Sequence, residues 1–374
     1  MSSKRAPTGG NPLLRLAELG QSIWYDYITR DLLISGELER LIREDGLRGM
    51  TSNPTIFEKA IGGSHLYDDD IRRLSERGRS AGEIFETLAV ADVQAACDMF
   101  MPLYQQSGGR DGFVSIEVSP RLAHDADATV HEANRLWTAV GRPNAMIKIP
   151  GTQAGLSAIT QAIASGINVN VTLLFSIERY AEVIDAFLQG LESRLDRRLG
   201  LQPIGSVASF FVSRVDGKVD PLLDRRAGST LRGRIAIANA GMAYQLFRNS
   251  RTTERWLRLS RAGARPQRPL WASTSTKDPQ YRDIHYVEAL IAPETVNTVP
   301  PETLEAYRDH GNPSVRIDEA IAAAPGQLAE LDQAGIDLQA ITRELEEEGV
   351  AKFAASHASV LTGIEAKAGI LAAR

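Results

Sequence analysis

The stretch Ala145-Met-Ile-Lys-Ile-Pro-Gly-Thr152 sets one lysine, Lys148, into an aliphatic run that reads as a buried strand. An ammonium in an apolar interior is penalised, so it must pair with an anion, reach water, or give up its proton. A neutral amine in a pocket can attack a carbonyl and form a Schiff base, a metal-free route to carbon-carbon cleavage. The alternative is a lysine inside a barrel, paired with a carboxylate on a neighbouring strand.

Outward from this strand the chain alternates. Short apolar runs at Ile23–Ile28, Gly49–Pro54, Phe113–Val118, Ile167–Phe175, Pro203–Val212, Leu270–Ser275 and Glu294–Pro300 are separated by helical patterns. The helical patterns cover Leu32–Asp45, Thr55–Tyr104, Ala126–Val140, Gly155–Ser165, Ser176–Arg194 and Ser229–Asn249, and Asn11-Pro12 opens a short one at the N-terminus. With Lys148's own strand this makes eight strands, no internal repeat, and no GxGxxG after a strand. The expected fold is α/β, a (β/α)8 TIM barrel with additional N- and C-terminal helices. Residues 1–374 then form a single domain, with a mobile tail over residues 1–10 and C-terminal helices over 318–374 packed on the barrel.

Composition narrows the partners. Forty-two basic residues against 47 acidic give a net charge of -5, which disfavours nucleic acid or an anionic membrane as the main partner. The most basic stretch, Arg251 to Arg268, reads as a solvated linker, and the runs Asp68-Asp-Asp70 and Glu346-Glu-Glu348 read as solvated charge. Cys97 stands alone in a helix and reads as a core or semi-buried thiol in a reducing compartment. The N-terminus lacks the apolar core of a signal peptide and no run is long enough to span a membrane, so a cytoplasmic location is expected. The six histidines have no metal-ligand spacing, and neither a metal nor a cofactor is expected.

A parallel barrel places its active site at the C-terminal ends of the strands. Nearly every strand here carries a late polar residue: Asp26, Thr51 with Asn53, Glu117, Lys148, Asn170 with Thr172, Ser209, and Ser273 with Ser275. Singly, each can satisfy a buried hydrogen-bond network. Together they point to a functional pocket.

The combination resembles the transaldolase family. The resemblance rests on Gly49-Met-Thr-Ser-Asn-Pro-Thr-Ile-Phe57 and on Met146-Ile-Lys-Ile-Pro-Gly-Thr-Gln-Ala-Gly-Leu156, which match the two specific signatures of that family. It extends through Ser115-Ile-Glu-Val-Ser-Pro-Arg-Leu122, Asn168-Val-Asn-Val-Thr-Leu-Leu-Phe-Ser176 and Ser209-Phe-Phe-Val-Ser-Arg214, covering the chain from Trp24 to Val299.

The resemblance implies that Lys148 attacks the C2 ketone of a ketose phosphate, with Glu117, Thr172 and a water moving protons and Asp26 deprotonating the C4 hydroxyl. Asn53, Asn170 and Ser209 would hold the dihydroxyacetone unit. That unit would pass from sedoheptulose 7-phosphate or fructose 6-phosphate to glyceraldehyde 3-phosphate or erythrose 4-phosphate, in the pentose phosphate pathway.

Arg214 would bind phosphate. The best-known branch of the family has an arginine two positions after the seventh-strand serine, Ser273; this chain has Ser275 there, and Lys277 would replace the charge, as fits a longer bacterial subfamily. The related fructose-6-phosphate aldolases carry Gln and Tyr where this chain has Glu117 and Phe211, which favours a transferase. A simple aldolase and a non-catalytic phosphosugar-binding barrel are the alternatives, and a homodimer is compatible with the sequence without being read from it.

Overall fold

Each of the eight apolar runs becomes a strand, and the eight close on themselves in sequence order, all neighbours parallel. The computed structural model describes residues 10–225 and 230–372. The strands are β1 (Gln21–Tyr25), β2 (Gly49–Met50), β3 (Phe113–Glu117), β4 (Ala145–Pro150), β5 (Val169–Leu174), β6 (Ser206–Phe211), β7 (Arg268–Ala272) and β8 (Thr295–Val299). β4, β5 and β6 are buried at every position, as expected for strands covered on the outside by helices and packed on the inside by other strands.

Register fixes what meets what. Glu117 pairs with Lys148 across β3 and β4, and Lys148 pairs with Asn170 across β4 and β5, so three polar side chains from adjacent strands share one level of the barrel. Below them the barrel is filled by close packing that only glycine permits: a Cβ on Gly49 would lie 2.5 Å from the Trp24 ring, and one on Gly205 would lie 2.5 Å from Phe113.

Several local expectations are corrected. Asp26 lies one residue beyond β1 instead of inside it. Its N–H still donates to the Val299 carbonyl at 2.9 Å, so it stands on the rim of the barrel. The helical pattern 32–45 splits into Arg30–Ile34 and Glu37–Glu44, because Gly36 takes φ 81° and turns the chain between them. The helix expected over 229–249 runs over Ile235–Ser250, and Ser229 lies outside the described residues. So does the tail over residues 1–9.

The basic stretch is no linker. Residues Glu254–Arg261 form a helix that buries Trp256 and Leu259, while Arg255 and Arg258 both reach Glu192 of the helix Ile177–Asp196. Arginines crowd the sequence around a narrow two-residue apolar stripe, which hides the period. The acidic runs are anchored as well: Asp68 pairs with Lys367, Asp70 with Arg30, and Glu348 with Lys218.

Two C-terminal helices follow β8 and its helix, Ile317–Gln333 and Leu338–Ala372. The second, 35 residues long, lies against Pro54–Gly62, Asp68–Glu76 and the end of β5. Ser356 bonds Thr55 at 2.8 Å, and the Lys367 ammonium donates to the carbonyls of Ile61 and Ser64. The helix is thereby clasped over the mouth of the barrel. Among the described residues no helix is long and apolar enough to cross a membrane.

The helix Ser213–Asp224, which follows β6, carries a buried acid, Asp216. Its carboxylate accepts from the Ala236 N–H at 2.7 Å and from the Tyr286 hydroxyl at 2.9 Å, yet burial pushes its pKa up to about 7. An unfolded Asp titrates near 4. Between these values the folded chain holds a proton that the unfolded chain has lost, so this group's contribution is full below about pH 4 and is lost as the pH rises through about 7. The total loss is on the order of 4 kcal/mol, at 1.36 kcal/mol per pKa unit. Urea unfolding at pH 5 and pH 8 is expected to show a smaller decline in D216N than in the parent chain. An undiminished decline in D216N would assign it to other buried acids.

Candidate active site

Lys148 lies at the fourth position of β4, 4% exposed, with its side chain directed into the upper barrel. Its Nζ donates to the Ser52 carbonyl at 3.0 Å and stands 3.3 Å from Glu117 Oε2. That contact lacks hydrogen-bond alignment, and among the described residues both Glu117 oxygens are without a hydrogen-bond partner. Phe353 of the C-terminal helix covers the amine from above, its ring centroid 5.8 Å from Nζ.

Two carboxyls flank this amine, and both are pushed toward the protonated form. Burial raises the Glu117 pKa against the pull of Lys148, with the Asp26 charge adding to the rise. Burial likewise raises Asp26, opposed by Lys148, by a 2.6 Å hydrogen bond from Thr51, and by Arg214. Thr51 is itself held by Thr298 at 2.7 Å, so the Asp26 carboxyl is oriented by a hydroxyl pair from β8 and the loop after β2.

Thr172 lies two residues past Asn170 on the same face of β5, beside Pro150 in register. Its hydroxyl is buried, and among the described residues it has no hydrogen-bond partner. The next residue, Leu173, takes φ 61° where the β5–β6 register slips. A left-handed non-glycine residue carries roughly 1–2 kcal/mol of strain. Ser273, just past β7, takes φ 56° and places its hydroxyl 3.1 Å from that of Ser213. Both strained residues border the same cavity or the threonine that lines it.

This cavity has a volume of about 710 Å³, enough for a sugar phosphate. Of the residues expected from sequence, Asp26, Asn53, Lys148, Thr172, Ser209, Arg214, Ser273 and Lys277 all line it. Glu117 abuts it through Lys148. Asn170 sits deeper, fully buried, where its amide donates to Ser115 at 3.0 Å and its carbonyl accepts from Ser209 at 2.7 Å. Asn53 spends its carbonyl on the Ile56 N–H as the cap of Pro54–Gly62, which leaves its NH2 facing the cavity edge.

Cations collect on one side. Arg214 stacks its guanidinium 5.1 Å from the Phe211 ring centroid. Burial lowers its pKa, and the Asp26 and Glu348 charges oppose that. Lys352 of the C-terminal helix and Lys59 of Pro54–Gly62 also line the cavity, together with Lys277. The Arg214 charge, then burial, then Lys277 and Lys59 depress the Lys352 amine, the mark of like charges gathered without enough anions. Neither Lys352 nor Lys59 stood out in the sequence, because each lies on a helix whose signal was amphipathic periodicity. The one available hint was Asn53 capping the helix that carries Lys59.

A second cavity of about 930 Å³ lies behind Glu117, lined among others by Glu132, Arg135 and His357. It is roomier, but it holds neither Lys148 nor Asp26 nor the cation cluster, so the smaller cavity is the chemical one. Among the described residues no three His, Cys, Asp or Glu side chains are grouped to hold a metal ion.

A buried amine between two raised carboxyls, under an aromatic lid and beside a cationic wall, suits carbonyl chemistry on an anionic substrate. Comparison with known proteins agrees. The family model described as transaldolase/fructose-6-phosphate aldolase matches residues 23–364. A protein named transaldolase from Parafrankia sp. (strain EAN1pec) is 49% identical over 362 residues, covering 96% of this chain and 98% of that protein. One from Acidothermus cellulolyticus is 50% identical over 351 residues, covering 92% and 94%. Transaldolase 2 of Nostoc sp. (strain PCC 7120) is 46% identical over 375, covering 96% and 98%. The chain belongs to the transaldolase/fructose-6-phosphate aldolase family.

Proposed function

We propose that this chain carries out the transaldolase reaction of the pentose phosphate pathway through a Schiff base on Lys148. The transferase class follows from near full-length relatives named transaldolase. The observation that carries the mechanism is the placement of Lys148 Nζ 3.3 Å from Glu117, in the cavity that Asp26 also lines.

In this reading Lys148, as the free amine, adds to the C2 carbonyl of a ketose phosphate. Glu117, kept protonated by burial, gives its proton to the departing C2 hydroxyl, so water leaves and the imine forms. A water held by Thr172 returns protons along the same route. The positive iminium now beside Asp26, with Arg214, opposes the burial that raises this carboxyl, so Asp26 in its carboxylate form takes the C4 hydroxyl proton. The C3–C4 electron pair moves into the iminium, the aldose phosphate departs, and a three-carbon enamine stays on Lys148. Attack of that enamine on a second aldose phosphate reverses the sequence.

Asn53 and Ser209 hold the dihydroxyacetone hydroxyls directly. Asn170, bonded to Ser209 from below, sets the angle of that hydroxyl. Arg214, Lys277 and Lys352 receive the phosphate, and Ser273 contributes a hydroxyl beside them. The reading takes the whole chain as one catalytic unit, since the C-terminal helix supplies Phe353 and Lys352. It also takes the protein to be cytoplasmic, a setting compatible with the lone cysteine, Cys97, being a free thiol.

The phosphate assignment gives a kinetic prediction. A charge-assisted hydrogen bond contributes about 1.5–3 kcal/mol, so K352A is expected to raise KM for fructose 6-phosphate roughly tenfold or more. Cleavage of unphosphorylated fructose should be unchanged by the same substitution. An equal loss on both sugars would remove Lys352 from phosphate binding.

The reaction itself is tested by supplying fructose 6-phosphate with and without erythrose 4-phosphate. Transfer predicts sedoheptulose 7-phosphate only when the acceptor is present. Steady release of free dihydroxyacetone without acceptor would make the chain an aldolase, and binding without turnover would make it a phosphosugar-binding barrel.

A further inference from the structure

We propose a second anion site at the opposite, N-terminal end of the barrel, where Arg48, Arg110, Arg265 and Arg268 converge on a cavity that takes a phosphoryl group, as inorganic phosphate or on a small ester. This cavity has a volume of about 270 Å³, is floored by barrel residues such as Phe113, and holds none of the groups discussed above for catalysis. Two of its arginines come from the basic stretch between β6 and β7 that the active site leaves unused.

The charges there do not balance. Two carboxylates line the cavity, Asp111 and Glu294, and Glu294 is already paired outward with Arg251. Asp111 is saturated: Ser22 donates to it at 2.6 Å, and Arg48 and Arg268 each lie at 3.1 Å. Arg110 is exposed, and among the described residues its side chain has no ion-pair or hydrogen-bond partner. Among the described residues Arg265 donates only to the Gly109 carbonyl. Arg268 is already held, its terminal nitrogens donating to the Arg110 and Thr295 carbonyls, Asp111 and Ser22, so with Arg48 it adds charge to the cavity wall. The guanidinium donors left over on Arg110 and Arg265, beside two further arginine charges, match the oxygens of a phosphoryl group. Burial and the neighbouring Arg110 charge depress Arg265, as expected for cations held together without a counter-anion.

Because the active site also binds phosphate in the reading above, the test starts from R214Q/K352Q, which removes cations there and leaves the lower cavity intact. Phosphorus NMR titration with inorganic phosphate and with glycerol 3-phosphate should still detect binding in that background. Adding R110Q/R265Q is expected to weaken it about tenfold or more, on the scale of a lost charged hydrogen bond. R43Q/R72Q, the same loss of charge at exposed arginines on other helices, should leave it unchanged. Equal affinity for both probes identifies the free ion as the ligand, and tighter binding of the ester identifies a small phosphate ester. Since Arg110 and Arg265 take no part in catalysis, R110Q/R265Q alone should keep full transferase activity, which also reports that it folds. Absence of binding in R214Q/K352Q, or equal weakening by R43Q/R72Q, would overturn the site. Neither outcome depends on whether Lys148 forms a Schiff base.

Discussion

Lys148→Met is expected to fold and to lose sugar transfer by roughly 10⁴-fold or more, the scale seen when a covalent nucleophile is removed. No other amine replaces it: Lys59, Lys277 and Lys352 line the same cavity, but among the described residues none of them is ion-paired with Glu117 or Asp26. Methionine preserves most of the apolar stem and still packs under Phe353. Removing the ammonium also removes the main force that lowers Glu117 and Asp26, so both carboxyls stay protonated to higher pH. Stability near neutral pH should therefore change little, since replacing a buried ion pair partner by an apolar isostere is tolerated when the remaining acid can neutralise. Steady-state rates and thermal midpoints, measured on the same preparations, check both halves. A folded K148M that retains more than a few per cent of activity would contradict the covalent account.

Asp26→Asn separates cleavage from imine formation. Asp26 sits on the rim after β1, held by Thr51 and facing both Lys148 and Arg214, so it is placed for the carbon-carbon step instead of the dehydration step. Loss of a general base lowers a rate by roughly 10²–10⁴-fold. D26N is expected to fall in that range for transfer while still condensing with fructose 6-phosphate. Its reduced adduct should carry all six carbons of the donor. If D26N instead traps a three-carbon fragment at the normal rate, another group deprotonates C4.

The fold was legible because apolar strands bounded by turn residues recur eight times, and Lys148 and Glu117 were legible because charge inside such strands violates their own pattern; Asp26 stood out from its apolar run in the same way, although it lies one residue past β1. What escaped was set by tertiary contact. Lys352 becomes part of the site only because the helix Leu338–Ala372 is clasped over the barrel mouth by Ser356 and Lys367, and no local pattern encodes that docking. Asn170 and Ser209 looked equivalent as strand polars, yet one lies beneath the other, a difference of depth that strand alternation does not carry. The stretch Arg251–Arg268 looked like solvent because its charges outnumber Trp256 and Leu259, whose burial against the helix Ile177–Asp196 emerges only in the fold. Asp216, with a pKa near neutrality, was unmarked for the same reason: its burial depends on Tyr286, seventy residues away in sequence.

Borohydride reduction in the presence of fructose 6-phosphate, followed by peptide mapping, tests the Schiff base on Lys148. One stable three-carbon adduct is expected, on Lys148, absent without substrate or without borohydride. An adduct on Lys352, Lys277 or Lys59, or none in a protein that transfers dihydroxyacetone, would contradict it.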